Sequence, residues 1–366
     1  MAKLSDAERR FMLEALELAF KGCGLVSPNP MVGAVLVKNG SVVGRGYHRR
    51  FGAAHAEVEA IRNAGREARG STLYVTMEPC CFQGKTPACT DAIIHAGVKE
   101  VKVAIIDPNP KVNGRGVKCL RRQGIKVEVG LLEEAARRLN EAYITFMTEH
   151  HPFVMLKVAS TLDGMMATGD GESQWITGER ARAAGQLLRL MADAVLVGVN
   201  TVLKDNPRLT CRLNKEKRLL RVILDSGLRV SEQNRLFAEP GAVLIFTASS
   251  QEQRIRRLER AGAEIVRVRQ EKKGMLNWQD ILNELYHRQI AAVLIEGGAT
   301  VVSSALDAGI VDKAYFFLTP KVLGPGKLFS KGMKPRELRD ALVLKDVRHV
   351  QFGEDMLFEG YVYRFS

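Results

Sequence analysis

The residues best suited to chemistry lie between positions 55 and 89. The stretch opens with His55-Ala56-Glu57 and closes with EPCCFQGKTPAC, residues 78–89. One imidazole (His55) and two thiolates (Cys80, Cys89) are donors that suit a single Zn2+ per chain, and three protein ligands leave the fourth position for water. The metal lowers the pKa of that water, so that hydroxide is available near neutral pH. Glu57 is too close in sequence to His55 to be expected as a fourth ligand. It is instead suited to take the water's proton and deliver it to a departing amine. A structural zinc would want four closed ligands, and the further thiol on offer, Cys81, adjoins one already used.

These residues need elements to hold them. Residues 56–64 (AEVEAIRNA) read as a helix starting at the motif, 72–76 (TLYVT) as a buried strand, and 90–96 as a second short helix. His55 and Cys89 then sit at helix N-termini, where the partial positive charge favours a thiolate. The histidine, the glutamate two residues on and the later Pro-Cys with a downstream cysteine together form the signature of zinc nucleoside deaminases.

Around this core, Ser5 and Glu8 make a capping box for a helix reaching about Lys21, with Gly22 and Gly24 ending it. Asn39-Gly40 joins residues 31–38 to 41–47 as a two-residue hairpin. Alternation follows: strand 72–77, strand 101–106, helix 116–123, strand 125–129 and a long helix 132–148. The expectation is an α/β/α sandwich with a mixed sheet, antiparallel in the hairpin and parallel later. Residues 149–152 (EHHP) read as a linker between a domain at 1–149 and another at 150–366; adjacent histidines at a helix end are more often solvated than metal-binding. The second half restarts with a strand at 153–159. It continues with strands near 193–198, 219–224, 242–246, 263–267, 291–295, 313–318 and 357–365, and helices near 178–191, 251–261, 278–288 and 298–308.

The chain has 366 residues, enough for two full cores. Hydrophobic content of 46% with 26% charged residues is ordinary for a soluble protein. The charged N-terminal segment lacks the apolar core of a signal peptide, no run approaches a membrane span, and six cysteines, half of them in the zinc motif, suit a reducing compartment. The expected location is the cytoplasm, with no membrane partner. A net charge of +13 admits nucleic acid. The basic residues are dispersed, however, and a site for phosphorylated small molecules also favours positive charge, so dispersed surface charge plus phosphate-binding arginines is the preferred reading.

Three features of the second half invite a functional reading. Glu296-Gly297-Gly298 lies between a strand and a helix, where a phosphate could approach backbone N–H groups, although such a turn is usually just a turn. Residues 198–212 (GVNTVLKDNPRLTCR) pack polar groups into what reads as a loop after a strand. Trp175 stands in a polar, Gly-rich stretch, and its spacing leaves a core anchor and a ligand contact equally open.

HAE, TMEPCCFQGKTPAC, DPNP at 107–110, LKVASTLDGMMATGDGESQWIT, GVNTVLKDNPRLT and EGG occur in this order. The chain thereby resembles, over essentially its whole length, the bifunctional riboflavin-biosynthesis deaminase/reductases. Eight residues separate Cys80 from Cys89, where tRNA and cytidine deaminases have Pro-Cys-x-x-Cys. The resemblance implies a cytidine-deaminase-like N-terminal half acting on 2,5-diamino-6-ribosylamino-4(3H)-pyrimidinone 5′-phosphate. It implies a dihydrofolate-reductase-like C-terminal half that uses NADPH to reduce the ribosyl group to ribityl. Deaminase substrate contacts are expected at Asn29, His48, Lys85, Asp107 and Asn109. NADPH contacts are expected at Ala159, Trp175, Thr201, Asp205, Ser226, Gly297, Gly298, Ala299 and Thr300. Reductase substrate contacts are expected at Ser173, Arg189, Leu209, Arg212 and Glu296, with the two arginines suited to phosphate. Hydride would add to the anomeric carbon of the opened sugar, and Asp205 is the candidate for assisting proton transfer, although Asp205-Asn206-Pro207 also reads as a turn.

Two positions depart from the family pattern: Phe82 replaces a histidine that would touch substrate, and Met165 stands where a Lys or Arg usually follows Leu-Asp-Gly. Neither removes a zinc ligand or Glu57. The expected partners are small phosphorylated pyrimidines and a further copy of the chain as a homo-oligomer, dimer or larger. The rival readings are a nucleic-acid deaminase with an appended binding domain and a zinc-stabilised binding protein without turnover.

Overall fold

Two separate sheets organise the computed structural model, which describes residues 5–84, 87–271 and 274–363. The chain divides into two units, residues 1–150 and 151–366.

The first unit begins with α1 (Asp6–Phe20), whose capping box forms as expected, the Ser5 side chain accepting from Glu8 N while Glu8 reaches back to the Ser5 backbone. β1 (Gly33–Lys38) and β2 (Ser41–Tyr47) pair antiparallel, with Lys38 opposite Ser41 across the Asn39-Gly40 turn. Then come α2 (Ala56–Ala64), β3 (Thr72–Met77), α3 (Cys89–Ala96), β4 (Glu100–Ile105), α4 (Arg115–Arg122) and β5 (Lys126–Val129). The sheet order is β2-β1-β3-β4-β5, with β3, β4 and β5 parallel to one another. The expected long helix 132–148 is two helices, α5 (Glu133–Leu139) and α6 (Glu141–Thr148). Asn140 is the reason: it leaves helical geometry at φ −113°, and its buried side chain bonds Met31 N (2.8 Å) and Met31 O (3.0 Å), which turns the chain there. One apolar cluster fills each face of the sheet. Leu73, Val75, Val101, Val103 and α2 residues lie on one side, and Met12, Ala15, Tyr74 and Ala104 on the other, as alternation along a strand requires.

The second unit contains β6 (Phe153–Thr161), β7 (Met165–Thr168), α7 (Glu179–Met191), β8 (Ala194–Gly198), α8 (Val199–Asp205), β9 (Leu220–Leu224), β10 (Val243–Thr247), α9 (Glu252–Arg260) and β11 (Ala263–Arg267). It continues with α10 (Trp278–His287), β12 (Ala292–Gly297), α11 (Ala299–Asp307), β13 (Lys313–Thr319), β14 (Gly326–Leu328), β15 (Val343–Phe352) and β16 (Asp355–Tyr363). Nine strands run in the order β11-β10-β9-β8-β12-β6-β13-β16-β15, all parallel except the last two pairings. The central strands read as continuous apolar runs because both faces are covered.

Four elements here depart from expectation. Residues 199–205 form a helix rather than a loop, since Val199 and Val202 bury one face and Asn206 ends it in the left-handed region. β7 and β14 form a separate ribbon from short, partly polar segments. β15 carries no strand signal in the sequence because its residues are almost all exposed and mix charges with apolar groups.

Candidate active site

β3 and the two short helices beside it bring the metal-binding residues together. His55 is the N-cap residue of α2, Glu57 lies in the first turn of that helix, and Cys89 opens α3. α2 can lie directly on β2 because Gly46 has no side chain: a Cβ there would fall 2.2 Å from Ala56 O. His55 Nδ1 is 3.1 Å from Cys89 Sγ and 3.5 Å from Cys80 Sγ, and the three donor atoms all lie within 4.8 Å of one another. A tetrahedral zinc with bonds of about 2.0–2.3 Å needs donors roughly 3.5–3.8 Å apart, so the set fits one such ion. Cys89 N points to Cys80 Sγ at 3.4 Å, a backbone donor for a thiolate.

A hydrogen bond from Cys89, supported by His55, holds Cys80 down to about 4, while the same hydrogen bond, with burial, drives Cys89 up. The hydrogen bond to Cys80 raises His55. Glu57 is buried, which pushes its carboxyl up to about 7, with the Cys80 charge adding to the effect. A carboxyl poised near neutrality both accepts and releases a proton under ordinary conditions.

Beside this group opens a cavity of about 280 Å3. Its wall contains His55, Glu57 and Cys80 together with the expected substrate contacts Asn29, His48, Asp107 and Asn109; Lys85 lies outside the described residues. His48 Nδ1 is 3.2 Å from the Ala54 carbonyl, which can only accept, so this nitrogen carries the proton. Nε2 is then the acceptor for the Asn29 amide at 3.2 Å. Burial lowers the His48 pKa, in keeping with a neutral ring. Asp107 Oδ1 accepts from Asn109 N (2.9 Å) and from the Tyr143 hydroxyl (2.8 Å), and burial pushes this carboxyl up to about 6. Phe82 also lines the cavity. Glu78 stands within the motif with no task legible there, and Tyr143 also belongs to the site. The first had a signal, a glutamate beside the zinc cysteine; the second, 36 residues from Asp107, had none.

In the second unit the expected residues divide. A cavity of about 180 Å3 at the carboxyl ends of β8 and β9 and the start of α11 is lined by Ser226 and Thr300, with Asn200, Arg229, Trp278 and Ser304. Thr201 packs on the β12–α11 turn, its Oγ1 3.4 Å and 3.3 Å from where Gly297 and Gly298 would carry a Cβ. Gly298 has φ +80°, and Ala299 opens α11. Arg189 and Glu296 pair with each other. Lys157, unassigned from sequence, lies near both: burial lowers its pKa and Glu296 opposes that. Asp205 closes α8, half-buried and raised by burial. Ala159 lies on β6 beside Phe317 of β13; Leu209 is buried at φ +53°; Arg212 N bonds Gln186 Oε1 (2.9 Å); Ser173 is half-buried. None of these last four lines either cavity. Trp175 is no core anchor: it is 62% exposed, with the Arg182 guanidinium 4.6 Å above its ring. Trp278 fills the core instead, its indole N–H on Ser304 Oγ at 2.7 Å.

Comparison with known proteins bears on both units. Residues 5–105 match the cytidine and deoxycytidylate deaminase zinc-binding region, and residues 152–358 match the RibD C-terminal domain. The chain is similar to the riboflavin biosynthesis protein RibD of Aquifex aeolicus, 42% identical over 97% of this chain and 98% of the relative. It is similar to that of Escherichia coli, 39% identical over 93% and 96%. Among solved structures, Acinetobacter baumannii RibD superposes with a TM-score of 0.89 at 35% identity, covering 98% of this chain and 99% of the other. The diaminohydroxyphosphoribosylaminopyrimidine deaminase/5-amino-6-(5-phosphoribosylamino)uracil reductase of Thermotoga maritima does so at 0.85 and 40%, with the same coverage.

Proposed function

Because this chain belongs to the RibD family of riboflavin biosynthesis proteins, we propose specific tasks for the residues gathered in its two units. The chain is a bifunctional enzyme, a zinc-dependent deaminase and an NADPH-dependent reductase acting in riboflavin biosynthesis. Residues 1–149 carry the deaminase and 150–366 the reductase in this reading. The first substrate is 2,5-diamino-6-ribosylamino-4(3H)-pyrimidinone 5′-phosphate, and the final product is 5-amino-6-ribitylamino-uracil 5′-phosphate.

The observation that carries the deaminase assignment is the single cavity wall shared by His55, Glu57, Cys80, Asn29, His48, Asp107 and Asn109. His55, Cys80 and Cys89 would hold the ion, which when bound acts as a Lewis acid that makes hydroxide available at neutral pH. Glu57 takes the proton of the attacking water on its carboxylate and returns it to the amine that leaves as ammonia. Neutral His48, its Nε2 already accepting from Asn29, fixes that amide so that its carbonyl oxygen faces a ring donor. Asp107, held by Tyr143, presents its second oxygen to the substrate.

In the reductase unit NADPH would supply the hydride, with its pyrophosphate at the Gly297–Thr300 turn and its adenosine end in the cavity of Ser226 and Thr300. Asp205 assists proton transfer at the opened sugar. The substrates are small phosphorylated pyrimidines rather than nucleic acid, in keeping with basic residues spread through many separate ion pairs. Among the described residues no helix is long and apolar enough to cross a membrane. We read the enzyme as a cytoplasmic homo-oligomer. The test is to supply the diaminopyrimidine phosphate to zinc-loaded protein and follow ammonia release and NADPH oxidation. Salt-sensitive RNA binding with neither activity would sink the reading.

A further inference from the structure

Glu78 follows the last residue of β3 and precedes Pro79-Cys80; it is 4% exposed. Its own N–H bonds the Ile105 carbonyl at 2.9 Å, which fixes it to the end of β4. Glu78 is itself part of the cavity wall, and its carboxylate reaches three backbone amides. Oε2 accepts from Gly114 N (2.8 Å) and Asp107 N (3.3 Å), and Oε1 accepts from Val117 N (3.0 Å).

These three amides define a loop and a helix start. Gly114 is the N-cap residue of α4, at φ +80°, and has no side chain with which to cap the helix. Val117 is in the first turn, where amides lack intrahelical partners. Glu78 therefore caps α4 from the segment that follows β3, and its negative charge suits the positive end of the helix. The same carboxylate also holds the other end of the loop at Asp107. Between these anchors lie Asp107, Asn109 and Val112, all in the cavity wall. α4 sits tightly on this spot: a Cβ on Gly116 would fall 2.1 Å from Pro79 O.

We propose that Glu78 is a positioning residue for deamination. It locks the 107–114 loop to the segment bearing Cys80, so that Asp107 and Asn109 meet the pyrimidine at a fixed distance from the metal ligands. The proposal rests on the deaminase reading given above. A carboxylate that served stability alone would cap α4 without any consequence for substrate affinity.

The experiment uses the full zinc-loaded chain with E78Q and E78D. In E78Q the volume is kept, but the new NH2 must face either Val117 N–H or the Gly114 and Asp107 pair, so at least one donor loses its acceptor. We expect KM for the diaminopyrimidine phosphate to rise roughly tenfold or more, with kcat within about threefold of wild type, the pattern of lost binding rather than lost chemistry. Zinc content stays at one per chain, and NADPH-dependent reduction of supplied deaminated substrate is unchanged. Amide exchange at Gly114 and Val117 accelerates. E78D keeps the charge but shortens the arm by one methylene and shifts KM in the same direction, which separates reach from charge; it also stands in should E78Q fail to fold. A lowered melting temperature with unchanged KM in both variants overturns the proposal, as does a collapse of kcat at unchanged KM. A wild-type enzyme that binds zinc yet releases no ammonia overturns the deaminase reading itself, a different result from either.

Discussion

Arg189 and Glu296 meet as a two-pronged ion pair, Nε to Oε1 at 2.7 Å and Nη2 to Oε2 at 2.6 Å, while Arg189 Nη1 donates to the Thr210 carbonyl at 2.9 Å. The pair ties α7 to the end of β12, and the two side chains are 18% and 11% exposed. Burial opposes the charge on Glu296, but Arg189 more than offsets it and the net shift is downward. A phosphate expected at Arg189 would therefore approach a guanidinium already balanced by a carboxylate. Glu296→Ala leaves that cation buried and unpaired, and should destabilise the reductase unit by about 3–5 kcal/mol. The Arg189→Met/Glu296→Leu double variant, similar in volume, should lose far less. Denaturant unfolding followed in the second unit, with a double-mutant cycle, reads this; a double-variant loss equal to the sum of the two single-variant losses would mean the pair is not coupled.

Glu57→Gln retains the shape of the side chain and removes its ability to take a proton. Deamination should fall by roughly 100- to 10,000-fold with one zinc per chain retained. Ammonia release paired with metal analysis checks this. Normal turnover would show that another group moves the proton.

Cys80→Ser is expected to lose zinc and deamination together. The units have separate cores and separate sheets, so NADPH-dependent reduction of supplied deaminated substrate should survive in the same protein. Loss of both activities would show that the units depend on each other.

The metal-binding trio was legible because the chemistry fixes the residue types and the short elements around it carry strong periodic signals. The Asn39-Gly40 hairpin and the α/β alternation were legible for the same local reason. Interactions bridging distant positions were not. Asn140 splits a helix by bonding Met31, 109 residues away, and nothing near Asn140 announces it. Tyr143 reaches Asp107 from α6 in the same way. Trp175 could not be assigned because exposure, not residue type, distinguishes it from Trp278. The resemblance named reductase contacts that spacing alone would not yield, and of these only some gather around the Gly297-Gly298 turn and the adjoining cavity.

Lys102 anchors a charge cluster whose pH response has a definite sign. Its ammonium lies 2.6 Å from Glu8, 2.6 Å from Glu128 and 3.5 Å from Glu100. The hydrogen bond from Lys102, with those from Ser5, lowers the Glu8 carboxyl from 4.5 to about 2. A carboxyl depressed in the folded state contributes stability above its unfolded pKa and loses it as pH falls through the folded value. That contribution is complete above about pH 4.5 and fades toward pH 2. Glu8→Gln keeps a residue competent for the capping box, so the comparison isolates the charge. The variant should melt at lower temperature than wild type at pH 6, with the difference vanishing toward pH 2. A pH-independent difference would assign the effect to packing.

Arg229 is the one charged side chain among the described residues lining the smaller cavity of the reductase unit. It donates to Asn200 Oδ1 at 2.9 Å and lies 3.9 Å from Asp225 Oδ1, a buried oxygen with no hydrogen-bond partner among the described residues. Asn200 and Asp225 thus hold the guanidinium at the cavity mouth, 54% exposed and able to take an anion. On the proposed placement of the adenosine end in this cavity, the 2′-phosphate is the group that a guanidinium would select. Arg229→Ala should weaken NADPH roughly tenfold or more while leaving NADH affinity nearly unchanged. Titrating the full chain with NADPH, NADH, 2′,5′-ADP and 5′-AMP reads the preference without turnover. If the variant still favours the 2′-phosphorylated ligands by the wild-type margin, that phosphate is recognised elsewhere and the cavity seats a different part of the dinucleotide.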